Sequence, residues 1–189
     1  MLAVPKRLMF LVFAGGLVLL PFSLRAGEFG KPAGPAILTV IGAIEHTNRN
    51  PFDAFEDGFF KHHDRQFSRA AVFDAGMLEA LGMHPVEISY SGFPKPYRFE
   101  GPWLKDVLAA VGAPGKDIAI VALDGFASEI SAADLAAEDW LVAVKRDGRY
   151  LDLGQRGPLW VVYARRDGKP LTLEDEQRWP WAAFLIEVK

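Results

Sequence analysis

Apolar and polar positions alternate along this chain in several distinct rhythms. After the Gly/Pro-rich lead GEFGKPAGP (Gly27 to Pro35), the run AILTVIGAIE is β-branched, apolar and of strand length. From His46 to Arg69 no period of two or 3.6 emerges, and four Phe (52, 55, 59, 60) sit among polar residues, which reads as a long loop with short helical turns. Asp74 then stands as an N-cap for AGMLEALG, Gly82 is placed to end that helix, and VEISY (Val86 to Tyr90) alternates as a strand does. The clearest helix starts at Pro102, repeats Leu104, Val107, Leu108 and Val111 at i, i+3, i+4, i+7, and stops at Gly112.

Beyond Gly112 the rhythm is mostly that of strands. DIAIVAL and FASEI flank Asp124-Gly125, and WLVAVKR and RYLDL flank Asp147-Gly148, so two hairpins are expected. Between them Ser131 and Asp134 resemble a capping box opening a short helix. LWVVYAR reads as a strand, Asp167-Gly168 as a turn and TLEDEQRW as a helical segment. AFLIEV reads as a closing strand with Phe184, Ile186 and Val188 on one face. Strands and helices mix without regular βαβ alternation, which predicts one α+β domain of mixed β-sheets with short helices over residues 27–189.

The N-terminus carries a different signal. Lys6 and Arg7 precede the apolar run Leu8 to Leu24, and Ala26 supplies a small residue before Gly27. Residues 1–26 therefore read as a signal peptide and the mature protein as periplasmic; an uncleaved segment approaching the ~20 residues of a membrane span is the other reading. Membrane attachment is expected only through that segment. Its removal lowers the 21 basic residues to 18 against 24 acids, a net charge of −6. That sign opposes nucleic-acid binding and leaves an anion site to a local basic cluster. The chain has no cysteine, which excludes disulfides and thiolate metal sites within it.

FEGPWLKDVLAAVGA (Phe99 to Ala113), IVALDGFASEISAADL (Ile120 to Leu135) and RGPLWVVYARRDG (Arg156 to Gly168), together with TVIGAIEHTN and FDAGMLEAL, resemble in order and spacing the molybdopterin-binding domain of the sulfite oxidase family. The likeness runs from about Ile37 to the C-terminus, to the small exported stand-alone members. It implies that family's fold and makes molybdopterin a possible cofactor by resemblance, yet the cysteine that binds molybdenum in the family has no counterpart here. Where such relatives usually carry Thr-Pro-Trp, this chain has Ser91-Gly92-Phe93-Pro94. Gly101-Pro102 and Gly157-Pro158 read as the starts of a helix and a strand, and Trp103 and Trp160 as core aromatics.

The motifs GxGxxG, HExxH and GxSxG and the P-loop are all absent. His62-His63-Asp64, with His46 and His84 as distant donors, is either a metal site or a solvated loop. Lys145, Arg146, Arg149, Arg156, Arg165 and Arg166 either converge on an anion or are hairpin-tip charges, and Arg156 stands out because the resemblance places the pocket rim directly before GPLW. Asp124 is either a general base or a turn residue, and Ser91 borders the same expected pocket. Glu79 and Glu129 show no partner for paired-carboxylate catalysis. The Phe52, Phe55, Phe59 and Phe60 group is either core lining under the loop or an exposed docking patch, core lining being the favoured reading. Two functions follow: a non-catalytic exported module binding a small anion or a periplasmic protein, or a redox protein holding molybdopterin through backbone and arginine contacts without a cysteine ligand.

Overall fold

This computed structural model describes residues 29–189, so the signal expected at 1–26 and the first two residues of the expected domain lie outside the described residues. The chain runs β1 (Leu38–Gly42), α1 (Gly58–His62), β2 (Ala70–Phe73), α2 (Ala75–Ala80), β3 (His84–Ile88) and β4 (Tyr97–Gly101). It continues through α3 (Leu104–Ala110), β5 (Ile118–Ala122), β6 (Ala127–Ile130), α4 (Ala132–Ala137) and β7 (Asp139–Ala143). The last stretch is β8 (Lys145–Arg146), β9 (Arg149–Tyr150), β10 (Leu159–Ala164), α5 (Leu173–Gln177) and β11 (Trp181–Val188). The fold is mixed α+β with two sheets and a few short helices. No helix among the described residues is long and apolar enough to cross a membrane.

A seven-stranded sheet has the path β2-β1-β11-β10-β7, with β5 also pairing β11 and β6 pairing β5; a four-stranded sheet has the order β3-β4-β8-β9. β11 is the hub. It lies parallel to β1 and antiparallel to both β10 and β5. The smaller sheet is stitched to the larger where β7 runs into β8: Val142 N donates to the Pro102 carbonyl and Val144 N to the Glu100 carbonyl, both at 2.9 Å.

Alternation along β1 sends Leu38 and Val40 into the main core and Ile41 to the other face of the sheet, where it meets Phe60, Phe67, Val121, Phe184 and Leu185. The face of α3 predicted from its period is buried: Leu104, Val107 and Val111 are 0% exposed and Leu108 is 1%. Asp74 caps α2 by accepting from Met77 N at 2.8 Å, and its other oxygen accepts from Ala33 N and Gly34 N, both at 2.7 Å. One carboxylate thus closes a helix and clasps the lead strand of the chain.

Several expectations are corrected. β2 and β4 were not anticipated, because AAVF and YRFEG are too short to show a period. Trp103, not Pro102, flanks the start of α3, since the Pro102 carbonyl is taken by β7. The Asp147-Gly148 turn joins only the two-residue arms β8 and β9; Asp139–Ala143 belongs to the large sheet and pairs with β10. Phe184 does not share a face with Ile186 and Val188, because the register of β11 shifts between Ala183 and Leu185. Of the four clustered Phe, Phe60 is buried and Phe52 packs beside it, whereas Phe55 and Phe59 are 89% and 46% exposed. Trp103 lies half-buried with its ring stacked on His84, centroids 4.8 Å apart, instead of inside the core.

Leu108→Ala should cost about 2–5 kcal/mol through lost burial and a cavity, measured by urea unfolding; a loss below about 1 kcal/mol would mean that this face is not packed. Asp74→Ala should cost about 2 kcal/mol, because it removes a cap and leaves further backbone N–H groups without an acceptor. Hydrogen bonds from Gly34 and Met77 hold the Asp74 carboxyl below its ordinary range in the folded chain. Its contribution is therefore complete above the unfolded value of about 4 and drains away as pH falls through the lower folded value. Stability curves taken from pH 7 downward should show a shallower acid loss for Asp74→Asn than for the wild type.

Candidate functional site

At one end of the large sheet a cavity of about 310 Å³ is lined by Ala122, Asp124, Phe126, Glu176, Gln177, Trp179 and Trp181. Its walls come from three places in the sequence. The β5–β6 turn supplies Asp124 and Phe126: Asp124 Oδ1 accepts from Phe126 N at 3.0 Å, and Ala122 N donates to the Phe126 carbonyl at 2.9 Å, which fixes the outward Phe126 backbone. The end of α5 supplies Glu176 and Gln177. That helix is anchored at its start by a reciprocal capping box between Thr172 and Asp175. The third wall is Trp179-Pro180-Trp181.

Trp181 stands where it does because of the residue after it. Ala182 adopts φ 51°, in the left-handed region, while its N donates to the Arg156 carbonyl at 2.9 Å and its carbonyl accepts from Leu123 N at 3.0 Å. Those two bonds tie the bulge at the head of β11 to both neighbouring strands' approaches. The kink turns Trp181 outward, leaving its side chain 38% exposed at the cavity rim, while Trp179 is only 2% exposed.

Arg156 sits over two indoles, its guanidinium carbon 4.6 Å from the Trp160 ring and 5.7 Å from the Trp181 ring. Among the described residues no carboxylate pairs with it, so the N–H edge of the fork remains available. Phe93 of the Ser91–Pro94 loop packs 5.8 Å from Trp160 and 6.4 Å from Trp179. Arg156 and Asp124 thus meet across Trp181, with the Phe93 loop behind the same aromatic cluster. Ser91 is exposed and its hydroxyl has no hydrogen bond among the described residues. Arg146 is remote from the cavity and caps the far end of the cluster, 4.7 Å from the Tyr97 ring.

The other basic residues do not converge with Arg156. Arg165 forks onto Asp167 at 2.8 and 2.9 Å, Arg166 Nε donates to Asp139 at 2.8 Å, and Lys145 meets Glu79 at 2.7 Å. Arg149 is exposed opposite Arg146 in the β8–β9 arm. Glu79, which has no second carboxylate beside it among the described residues, holds both Lys145 and the Tyr150 hydroxyl, which lower its pKa.

The histidines are spread apart. His62 and His63 stand nearly perpendicular, 5.5 Å between centroids; His63 packs on Phe59 and Phe184 beside the Asp124-Gly125 turn, and burial, then His62 and Arg65, lower its pKa. His46 bonds to the Ala110 carbonyl and His84 stacks on Trp103. Among the described residues no three metal-donor side chains come together.

A second, more apolar cleft of about 230 Å³ lies between α3 and α4 and includes Trp103, Leu108, Leu135 and Trp140. Its charged rim is self-neutralised, with Arg166 held by Asp139. Sequence reasoning missed Phe126, Glu176, Trp179 and Trp181. The signal that was there is Trp179-Pro180-Trp181 directly before a strand. Neither a scan against protein-family models nor a search of the curated proteins finds a match to the chain.

The bulge makes a direct prediction. Ala182→Val places a β-branched residue at positive φ and should destabilise by about 1–3 kcal/mol, whereas Ala182→Gly, which fits that backbone freely, should stay within about 1 kcal/mol of wild type in urea melts.

Proposed function

We propose that this protein is an exported, non-catalytic binding module built on the sulfite oxidase-like molybdopterin-domain fold, and that it takes a small oxyanion at Arg156. The observation that carries this reading is the guanidinium placed over the Trp160 and Trp181 rings, 4.6 and 5.7 Å from their centroids, with no carboxylate partner among the described residues. Stacking restrains the long side chain before any ligand arrives, and a planar fork matches two oxygens of sulfate, phosphate or a carboxylate. The α+β architecture and the positions of the resembling segments support the fold assignment: Phe99–Ala113 spans β4 and α3, Ile120–Leu135 spans the β5–β6 turn and α4, and Arg156–Gly168 spans β10.

The residues present do not fit molybdopterin. The chain offers no thiolate, a ligand of molybdopterin's size, unlike a single oxyanion at Arg156, would extend into the neighbouring cavity lined by Asp124 and Glu176, and one Asp124 oxygen already holds the Phe126 N–H. That donor set supports binding over molybdopterin redox chemistry.

Thermal unfolding across a panel of sulfate, phosphate and acetate should show stabilisation of about 2.7 kcal/mol at a hundredfold excess over the dissociation constant. Arg156→Lys keeps the charge but loses the fork, so it should reduce that shift while leaving the unliganded Tm nearly unchanged. Equal shifts in both proteins would return Arg156 to a solvated surface role. Stoichiometric molybdenum in protein purified from the exported fraction would replace this reading with the redox one, and an intact Met1 by mass spectrometry would remove its exported element.

A further inference from the structure

We infer that the cavity beside Asp124 is a binding site for a small organic cation of the alkylammonium class. This goes beyond the anion reading and does not depend on it, because Arg156 is not among the residues that line the cavity. Four of the seven lining residues share one electrostatic preference: Phe126 and Trp181 offer partly exposed aromatic rings, with Trp179 buried behind them, Asp124 and Glu176 offer carboxylates, and no lining side chain is cationic. The negative faces of aromatic rings attract cations, indole most strongly, and carboxylates at the same opening add long-range attraction. Trp181 already draws one cation, the Arg156 guanidinium 5.7 Å from its ring.

The walls are built into the backbone. Phe126 and Trp181 are 47% and 38% exposed, yet each is held at the opening by local backbone geometry: the Asp124 turn for the first and the left-handed Ala182 for the second. An exposed aromatic that an irregular backbone holds at a cavity mouth is placed to meet a ligand.

The chemistry of the walls also selects the kind of cation. Ring faces carry no lone-pair donors, and two carboxylates on separate elements fall short of a metal's ligand set. A methylated ammonium is large, weakly hydrated and apolar at its surface, so it loses little on leaving water and gains from the rings. A volume of about 310 Å³ suits a ligand of that size.

Choline is the probe, titrated into the purified chain and followed by tryptophan fluorescence and calorimetry. Its neutral isostere, with carbon in place of the quaternary nitrogen, and sodium sulfate at matched ionic strength run alongside. Choline should saturate below about 10 mM and the neutral isostere should bind about tenfold more weakly. Glu176→Gln and Trp181→Leu should each weaken choline about tenfold with little change in Tm, since Trp181 is at the rim and Glu176 has no ion pair among the described residues. No saturation, equal binding of the neutral isostere, or unchanged affinity in both variants would overturn the inference. A sulfate response lost in Arg156→Lys without choline binding sinks this inference and leaves the anion reading standing. Choline binding without a sulfate response does the reverse.

Discussion

Everything at this end of the molecule depends on one strand having to satisfy three neighbours. β11 bonds to β1, β10 and β5, and those partners cannot all stay in register along its whole length. The mismatch is absorbed at Ala182, whose left-handed backbone and two long-range hydrogen bonds let the strand shift register against β10 without losing its partners. The conformational cost, on the order of 1 kcal/mol or more, is small beside the pairing it allows. Trp181, paired with Trp160 just before that residue, is the strand's partly exposed side chain, and the cavity forms against it.

Charge is arranged against simple expectation. A cluster of six basic residues in a short stretch of sequence could be one anion site or a set of turn charges; Lys145 and Arg166 are neutralised by Glu79 and Asp139 from other segments, and Arg165 by Asp167 of its own turn and by Asp175. Arg156 itself is stabilised by the rings of Trp160 and Trp181 and has no carboxylate partner among the described residues. Beside it the cavity walls are acidic and aromatic. Opposite preferences therefore stand on two sides of a single tryptophan.

How much of this was legible in the sequence follows from the range of the interactions involved. The period of α3, the caps at Asp74 and Ser131 and the turn at Asp124-Gly125 all arise within a few residues, and periodicity or residue type reveals them. β2 and β4 escape because four or five residues contain too little alternation, and they become strands only by pairing with distant partners. The departure of Phe184 from the expected face had no local mark, since alanine is an ordinary strand residue until register forces it elsewhere. For the site, Arg156 and Asp124 were legible as outstanding residues. That Trp181 lies between them was not, because Asp124 lies at a hairpin 57 positions before Trp181, and only the β5–β11 pairing brings them together.

The passage of the chain from β7 to β8 has a mechanical meaning. One continuous backbone, crossing between sheets at Val144 and bonded there to Glu100 and Pro102, acts as a rivet rather than a hinge. The small sheet cannot peel away while β7 remains zipped to β10, so the two sheets share a single cooperative opening. Amide protons at Val142 and Val144 would then exchange only when the whole domain opens, and the seam, though it sits between two sheets, would be among the last places to admit solvent.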